Sequence, residues 1–381
     1  MRIGITCYPT YGGSGVVATE LGIELATLGH EVHFISYSQP FRLTGRDEGI
    51  YYHEVPVASY PLFEFPPYDL ALASRMLEVA EFCKLDLLHV HYAIPHSVSA
   101  LLARQMAESE GKKLPFVTTL HGTDITLVGL DRGYLPITRY ALEQSDGITA
   151  ISDYLKRETA CCFGVKNEIE VVPNFVNCNV YRPFADEQRR KEGRQRLIGC
   201  SDVPLLMHLS NFRPVKRVVD VIRTFAQVAA ESAAHLVLVG DGPERSEAEW
   251  LAHELKIHTR THFVGKLDRV NELLPLADMM LMPSQLESFG LAALEAMACQ
   301  VVPVATRVGG VPELIDHQQN GLLYEVGDVN AMAQGIIELL ASPAKFKAMG
   351  QAARHVAQTR FCSSLVVPRY VEYYERVLER Q

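Results

Sequence analysis

Short apolar, β-branched runs alternate with longer amphipathic stretches along the whole chain. The strand-like runs in the first half are RIGITCY (2–8), EVHFIS (31–36), DLLHVH (86–91), PFVTTL (115–120), GITAIS (147–152) and EIEVVP (168–173). The pattern then restarts with PLLMHLS (204–210), HLVLVG (235–240), THFVG (261–265), MMLMP (279–283) and VVPVAT (301–306). Helical periodicity fills the gaps, for example over 16–28, 70–83 and 217–231. Alternation of this kind predicts parallel sheets with helices on both faces. Its two rounds predict an α/β chain of two Rossmann-like domains, residues 1–175 and 176–364, with the break in NFVNCNVYRPFADEQ (174–188). The stretch PRYVEYYERVLER (368–380) is an amphipathic helix with an aromatic stripe, so the segment 365–381 is expected to pack back on the first domain.

Composition narrows the picture. The 381 residues suffice for two ordinary domains, and 48% hydrophobic with 21% charged residues are globular values. No apolar run reaches membrane-span length and the start of the sequence lacks signal-peptide features, so a cytoplasmic protein is expected. The eight cysteines form no C-x-x-C pair and are expected to be reduced and mostly buried. Net charge is −9; residues 1–175 hold 13 Lys/Arg against 21 Asp/Glu, and the remainder 23 against 24. Neither half offers the basic face of a nucleic-acid binder, and the acidic first half speaks against docking on an anionic membrane. The basic cluster RRKEGRQR (189–196) reads as a solvated helix after the linker.

The strand-exit loops carry the candidate chemistry. After the first strand, Gly12, Gly13, Ser14 and Gly15 lead into a helix whose opening N–H groups suit an anion. The spacing is not the dinucleotide fingerprint, which disfavours a nicotinamide oxidoreductase. In NFRPVKR, Arg213 and Lys216 follow the first strand of the second half, where open α/β sheets bind ligands; Arg217 reads as a solvated turn residue. A helix terminus favours an anion by only about 0.3–1 kcal/mol, so a diphosphate needs such cationic side chains as well. HGTD (121–124) places His121 at a strand end, with Asp124 to orient it or cap the next helix. His89 and His91 share a strand face without a third metal ligand at sensible spacing; Tyr92 and His96 follow. GDGP (240–243) and RVGGVPE (307–313) are further strand exits, with Glu313 as a helix cap. In ESFGLAALE, Glu287 and Glu295 are two acceptor-only carboxylates suited to hydroxyl-rich ligands, or else the polar groups of an exposed helix start. Gly290 permits close backbone approach.

The ordered set GGSG, HGTD, NFRPVK, GDGP, E-x7-E and GG-x-PE resembles the retaining glycosyltransferases of GT-B architecture, two Rossmann-like domains facing across a cleft. ITCYPTYGGSGVVATELG, PPYDLALAS, HVHYAIPH, TTLHGTDIT and SNFRPVKRV resemble those members that move N-acetylglucosamine from UDP-GlcNAc to the hydroxyl of L-malate in bacillithiol biosynthesis. This resemblance implies an acceptor-binding first domain and a nucleotide-sugar-binding second domain. It implies Glu295 on the donor ribose, Glu287 on a sugar hydroxyl, the Phe289–Gly290–Leu291 backbone near sugar and diphosphate, and Lys216 with Arg213 on the diphosphate. Asn211 stands where the wider family often has its phosphate arginine. His121 is implied beside the transferred sugar, with Ser14, Tyr92, Thr119 and Asn174 placing malate and Gly13 at its carboxylate and the donor. Arg42 is a candidate for the second malate carboxylate. Front-face attack with retention is implied, without metal or cofactor, on small-molecule partners and, at most, a second copy of the chain. Two alternatives stay open. One is the same fold with an inositol phosphate, lipid or polysaccharide acceptor, for which the aromatic segment SYPLFEFPPY (59–68) would matter; the other is a non-catalytic nucleotide-binding module.

Overall fold

The computed structural model describes the chain apart from residues 11, 44–47, 58–60, 63, 268 and 381. Of the aromatic segment 59–68, Ser59, Tyr60 and Phe63 therefore lie outside the described residues, while Leu62 and Phe65 are exposed. The chain divides into two compact units, Met1–Asn174 with Val366–Gln381, and Phe175–Leu365.

In the first unit the strands are β1 (Arg2–Thr6), β2 (Glu31–Ser36), β3 (Ile50–Glu54), β4 (Leu87–His91), β5 (Phe116–Leu120), β6 (Gly147–Ala150) and β7 (Ile169–Val171). They form one parallel sheet in the order β3-β2-β1-β4-β5-β6-β7. The second unit has β8 (Leu205–Leu209), β9 (His235–Val239), β10 (Thr261–Gly265), β11 (Met279–Met282), β12 (Val302–Thr306) and β13 (Leu322–Tyr324), in the order β10-β9-β8-β11-β12-β13, again parallel. Most central strands are buried along their length, which is why they read as continuous apolar runs rather than alternating ones. The apolar runs do not mark β3 and β13. β3 is a half-exposed edge strand, IYYHE, and β13 has only three residues.

Packing follows the helical periodicity. The helix Val218–Glu231 buries Val218, Val221, Ile222, Phe225 and Val228 against Leu206, Leu236 and Leu238. Each such side chain is worth about 1.5–3 kcal/mol of burial. The helix Tyr68–Cys83 does the same in the first unit with Leu72, Met76 and Val79 beside Ile35 and Leu88. The last helix, Ser363–Glu379, buries Tyr370 and Tyr374, and Tyr373 Oη donates to the Ile148 carbonyl at 3.2 Å. No helix among the described residues is long and apolar enough to cross a membrane.

Two expectations need correction. Cys7, Cys178 and Cys299 are buried, but Cys161 and Cys162 are exposed and the other three cysteines are intermediate, because most lie on helix ends and loops. The basic cluster 189–196 is not simply solvated. In the helix Glu187–Ile198, Arg194 is buried, its Nε donating to the Leu276 carbonyl at 2.7 Å and its Nη1 to the Val203 carbonyl at 3.1 Å. Arg194 and Arg190 both pair with Asp278 at 2.7 Å, and Asp278 also accepts the Leu205 N–H at 2.7 Å. These bonds clamp the entrances of β8 and β11. Arg194→Ala strips one cation from a largely buried carboxylate and is expected to cost roughly 3 kcal/mol in urea unfolding. Arg194→Lys should recover only part of that, because an ammonium lacks the guanidinium fork.

Candidate active site

In both sheets the strand order reverses direction at one point, between β1 and β4 in the first and between β8 and β11 in the second. Loops leaving the carboxyl ends of such a pair diverge and open a ligand crevice. Most of the sequence candidates lie on or beside these loops.

In the second unit the loop after β8 is drawn onto the loop after β11. Lys216 Nζ lies 2.5 Å from Glu287 Oε1, and Ser284 Oγ donates to the same oxygen at 2.9 Å. The Gln285 N–H donates to the Val215 carbonyl at 2.8 Å, and the Gly310 N–H to the Glu287 carbonyl at 3.1 Å. Lys216 and Glu287 keep 22% and 13% of their side chains exposed, enough to meet a ligand. Arg213 and Asn211 are exposed on the same loop, and Arg213 makes no ion pair among the described residues. Arg217 is not a plain solvated residue, since its guanidinium is held by Asp220 at 2.5 Å. The GDGP loop abuts these residues so closely that a Cβ on Gly240 would lie 1.8 Å from the Ser210 carbonyl oxygen, and one on Gly242 would lie 2.1 Å from that of Asn211.

Gly290 sits at φ 93° and opens the helix Leu291–Ala298. Phe289 is buried edge-on against Phe361, 5.5 Å between centroids, so its backbone rather than its ring is what the loop presents. Glu295 is buried, unlike Glu287, so the two carboxylates are not equally placed at an open surface. Ser284 and Gln285 were missed in the sequence; only their place just after an apolar strand could have flagged them.

In the first unit the helix Gly13–Thr27 begins immediately after the β1 loop, and among the described residues nothing lies within 4 Å of where a Cβ on Gly13 would stand. Gly15 does not, because a Cβ there would lie 2.3 Å from the Tyr8 carbonyl oxygen. Ser14 is partly exposed. Arg42 is paired with Glu20 at 3.0 Å, beside this helix. Tyr92, held at φ 99°, bonds through its hydroxyl to Thr123 and lies edge-on to Tyr8, 5.2 Å between centroids. Thr119 is fully buried, its hydroxyl 2.6 Å from both His89 Nε2 and Thr149 Oγ1, so it lies within the sheet rather than on the loop. Among the described residues, Asn174 Oδ1 is buried without a hydrogen-bond partner.

Asp124 gathers the strand ends. Its carboxylate accepts from the Ala93 N–H at 2.9 Å, the Gly122 N–H at 2.7 Å and the His121 N–H at 3.2 Å. It thus holds the His121 backbone, one of the two roles the sequence leaves open for it. His121 Nε2 is 2.9 Å from His91 Nδ1, His96 Nδ1 is 2.6 Å from the His91 carbonyl oxygen, and His89 Nδ1 is 2.7 Å from Tyr374 Oη. Sequence showed His89 and His91 on one face; the fold brings His96, His121 and Tyr374 to them.

Burial keeps these imidazoles neutral. It pushes His89 and His121 down to about 3 and His96 to about 4, and takes His91 well below its ordinary value, with neighbouring imidazoles adding to the effect on His89, His91 and His121. Unfolded, each histidine binds a proton near pH 6.5 that the fold refuses until lower pH, so stability is lost as pH falls from 6.5. Asp124 acts oppositely: burial raises it from 3.8 to about 6, so it alone adds stability as pH falls through that window. Four histidines outweigh one carboxyl, each contributing up to about 1.4 kcal/mol per pH unit. The urea midpoint of the first unit is therefore expected to be lower at pH 5 than at pH 7, with a shallower fall in His89→Gln. Equal midpoints at both pH values would show that these groups titrate normally.

The chain matches two family models, Glycosyltransferase Family 4 over residues 11–180 and Glycosyl transferases group 1 over residues 190–356. It is 48% identical over 379 residues to N-acetyl-alpha-D-glucosaminyl L-malate synthase of Bacillus anthracis, covering 99% of this chain and 97% of that one. It is 28% identical over 302 residues to a GDP-mannose-dependent phosphatidylinositol monomannoside mannosyltransferase of Mycolicibacterium smegmatis, covering 75% of each. Among solved structures, sucrose-phosphate synthase of Thermosynechococcus elongatus superposes with a TM-score of 0.80 at 21% identity over 100% of each chain. Anabaena HepE in complex with UDP and glucose does so with a TM-score of 0.79 at 19% identity over 98% of this chain and 99% of that one. These two likenesses establish the GT-B fold. By its near full-length identity to a named member and its two matching segments, the chain belongs to the group 1 glycosyltransferases.

Proposed function

We propose that this glycosyltransferase moves N-acetylglucosamine from UDP-GlcNAc to the hydroxyl of L-malate, with retention and without a metal in the reaction, as the first step of bacillithiol biosynthesis. The observation that carries this reading is the 48% identity over 99% of the chain to an enzyme named for that product. The second unit, 176–364 on the sequence reading, takes the donor and the first, 1–175, the acceptor.

On this reading Lys216 and Arg213 neutralise the diphosphate, doing by fixed positive charge what a metal does elsewhere. The leaving group gains negative charge as the anomeric carbon gains positive charge, so cations held in advance lower the barrier. Glu287 is already aligned by Ser284, and it exchanges part of its Lys216 contact for a sugar hydroxyl. Asn211 and the Phe289–Leu291 backbone line the donor, and Glu295 takes the ribose from its buried place on the helix. His121, held neutral, accepts from or donates to a sugar hydroxyl rather than supplying charge. Gly13 and Ser14 offer free N–H groups of a helix start to a malate carboxylate. Tyr92 and Asn174 complete the acceptor contacts, with Asn174 Oδ1 free to accept the malate hydroxyl. Thr119 acts by fixing His89 beneath them. Front-face attack lets a donor phosphate oxygen take the acceptor proton, so no protein carboxylate need act as nucleophile.

The test is UDP release from UDP-GlcNAc with a panel of hydroxy acids and inositol phosphates, with chelator present. Release that depends on L-malate is expected. Turnover on another acceptor with malate inert would discard the malate assignment, and loss of turnover with chelator would discard metal independence. Lys216→Ala is expected to lower turnover about 100-fold or more while leaving the circular dichroism unchanged.

A further inference from the structure

Away from the strand exits, the edge strand β3 and its neighbour β2 carry a cluster that the transfer reaction does not use. His33 of β2, His53 of β3 and Cys83, the last residue of the helix Tyr68–Cys83, place His nitrogens and a sulfur within 4.8 Å of one another. Among the described residues this is the one place where three such donors converge at that spacing. His33 is buried, and the other two are partly so.

The hydrogen bonds fix which atoms face inward. His33 Nε2 is 2.9 Å from Glu31 Oε1. A carboxylate only accepts, so the His33 proton sits on Nε2 and leaves the Nδ1 lone pair bare. That Nδ1 points at His53 Nε2, 2.9 Å away. A carboxylate holding the far nitrogen of an imidazole is the arrangement that orients metal-ligating histidines. Tyr51 stacks on the His33 ring at 4.9 Å and steadies it further. Zinc bonded at about 2.0–2.1 Å to nitrogen and about 2.3 Å to sulfur keeps its ligand atoms roughly 3.3–3.7 Å apart. The observed spacing runs from 2.9 Å up to the 4.8 Å limit, so small side-chain rotations suffice.

We propose that His33, His53 and Cys83 bind one Zn2+ in a structural site, with Glu31 orienting His33 and water in the fourth position. Binding releases one proton, from the Cys83 thiol, while the His53 proton moves from Nε2 to Nδ1. The ion ties the half-exposed edge strand β3 and the end of the helix Tyr68–Cys83 to β2.

The test uses the full chain stripped with chelator, then titrated with Zn2+ against a metallochromic competitor and, separately, with Co2+. One equivalent of tight binding is expected, with a thiolate-to-cobalt charge-transfer band in the near ultraviolet. Cys83→Ser should abolish the band, and His53→Gln should weaken Zn2+ by more than the roughly 10- to 100-fold expected of Glu31→Gln. Cys161→Ser, at an exposed cysteine elsewhere, should change neither. Added Zn2+ should raise the Tm of the stripped wild type and not that of Cys83→Ser. Absence of stoichiometric binding in the wild type, or a band and affinity retained in Cys83→Ser, would overturn the site.

Discussion

Lys216 and Glu287 come from different strand exits, 71 residues apart, and their ion pair is what makes two loops into one site. Neither loop has regular structure to stiffen it beyond a short turn. The side-chain contact is backed by the Gln285-to-Val215 bond between the same loops and by Ser284 from below. A cation and an anion are thereby held close together with part of their surface still open to a ligand. The value of the pair lies in having both charges already aimed before a substrate arrives.

The first unit solves a different problem. Its strand exits rest on a buried polar chain, from Tyr374 through His89 and Thr119 to Thr149, with His91, His121 and His96 alongside. Such groups are tolerable inside a sheet only because they satisfy one another. Within this chain the exceptions are the His91 and His96 Nε2 atoms, which lack partners among the described residues. Fixed neutral donors and acceptors suit hydroxyl recognition. The two units thus present different chemistry: cationic side chains at the strand exits of the second, buried neutral hydrogen-bonding groups in the first.

Much of the fold was legible in the sequence because buried parallel strands advertise themselves as apolar runs. β3 escaped because a half-exposed edge strand, IYYHE, shows neither an apolar run nor a clean alternation, and β13 because three residues make no pattern. The glycine and charge motifs marked the strand exits, yet their pairing did not follow from them. Nothing in the spacing told that Lys216 would meet Glu287, that Arg42 would meet Glu20, or that Arg194 would turn inward to Asp278. The Lys216 and Arg194 contacts depend on β8 and β11 being neighbours in the sheet, which is a property of topology rather than of local sequence. Glu295 and Thr119 carry polar groups into buried positions, where a periodicity argument expects apolar ones.

The central claim is that Lys216 is a fixed countercharge for a nucleotide diphosphate. Calorimetric titration of UDP into the wild type and into Lys216→Met, which keeps the chain length and removes the charge, tests it directly. The account predicts binding weakened by about tenfold or more in the variant, the worth of one hydrogen bond to a charged group. Equal UDP affinity in the two proteins would contradict it.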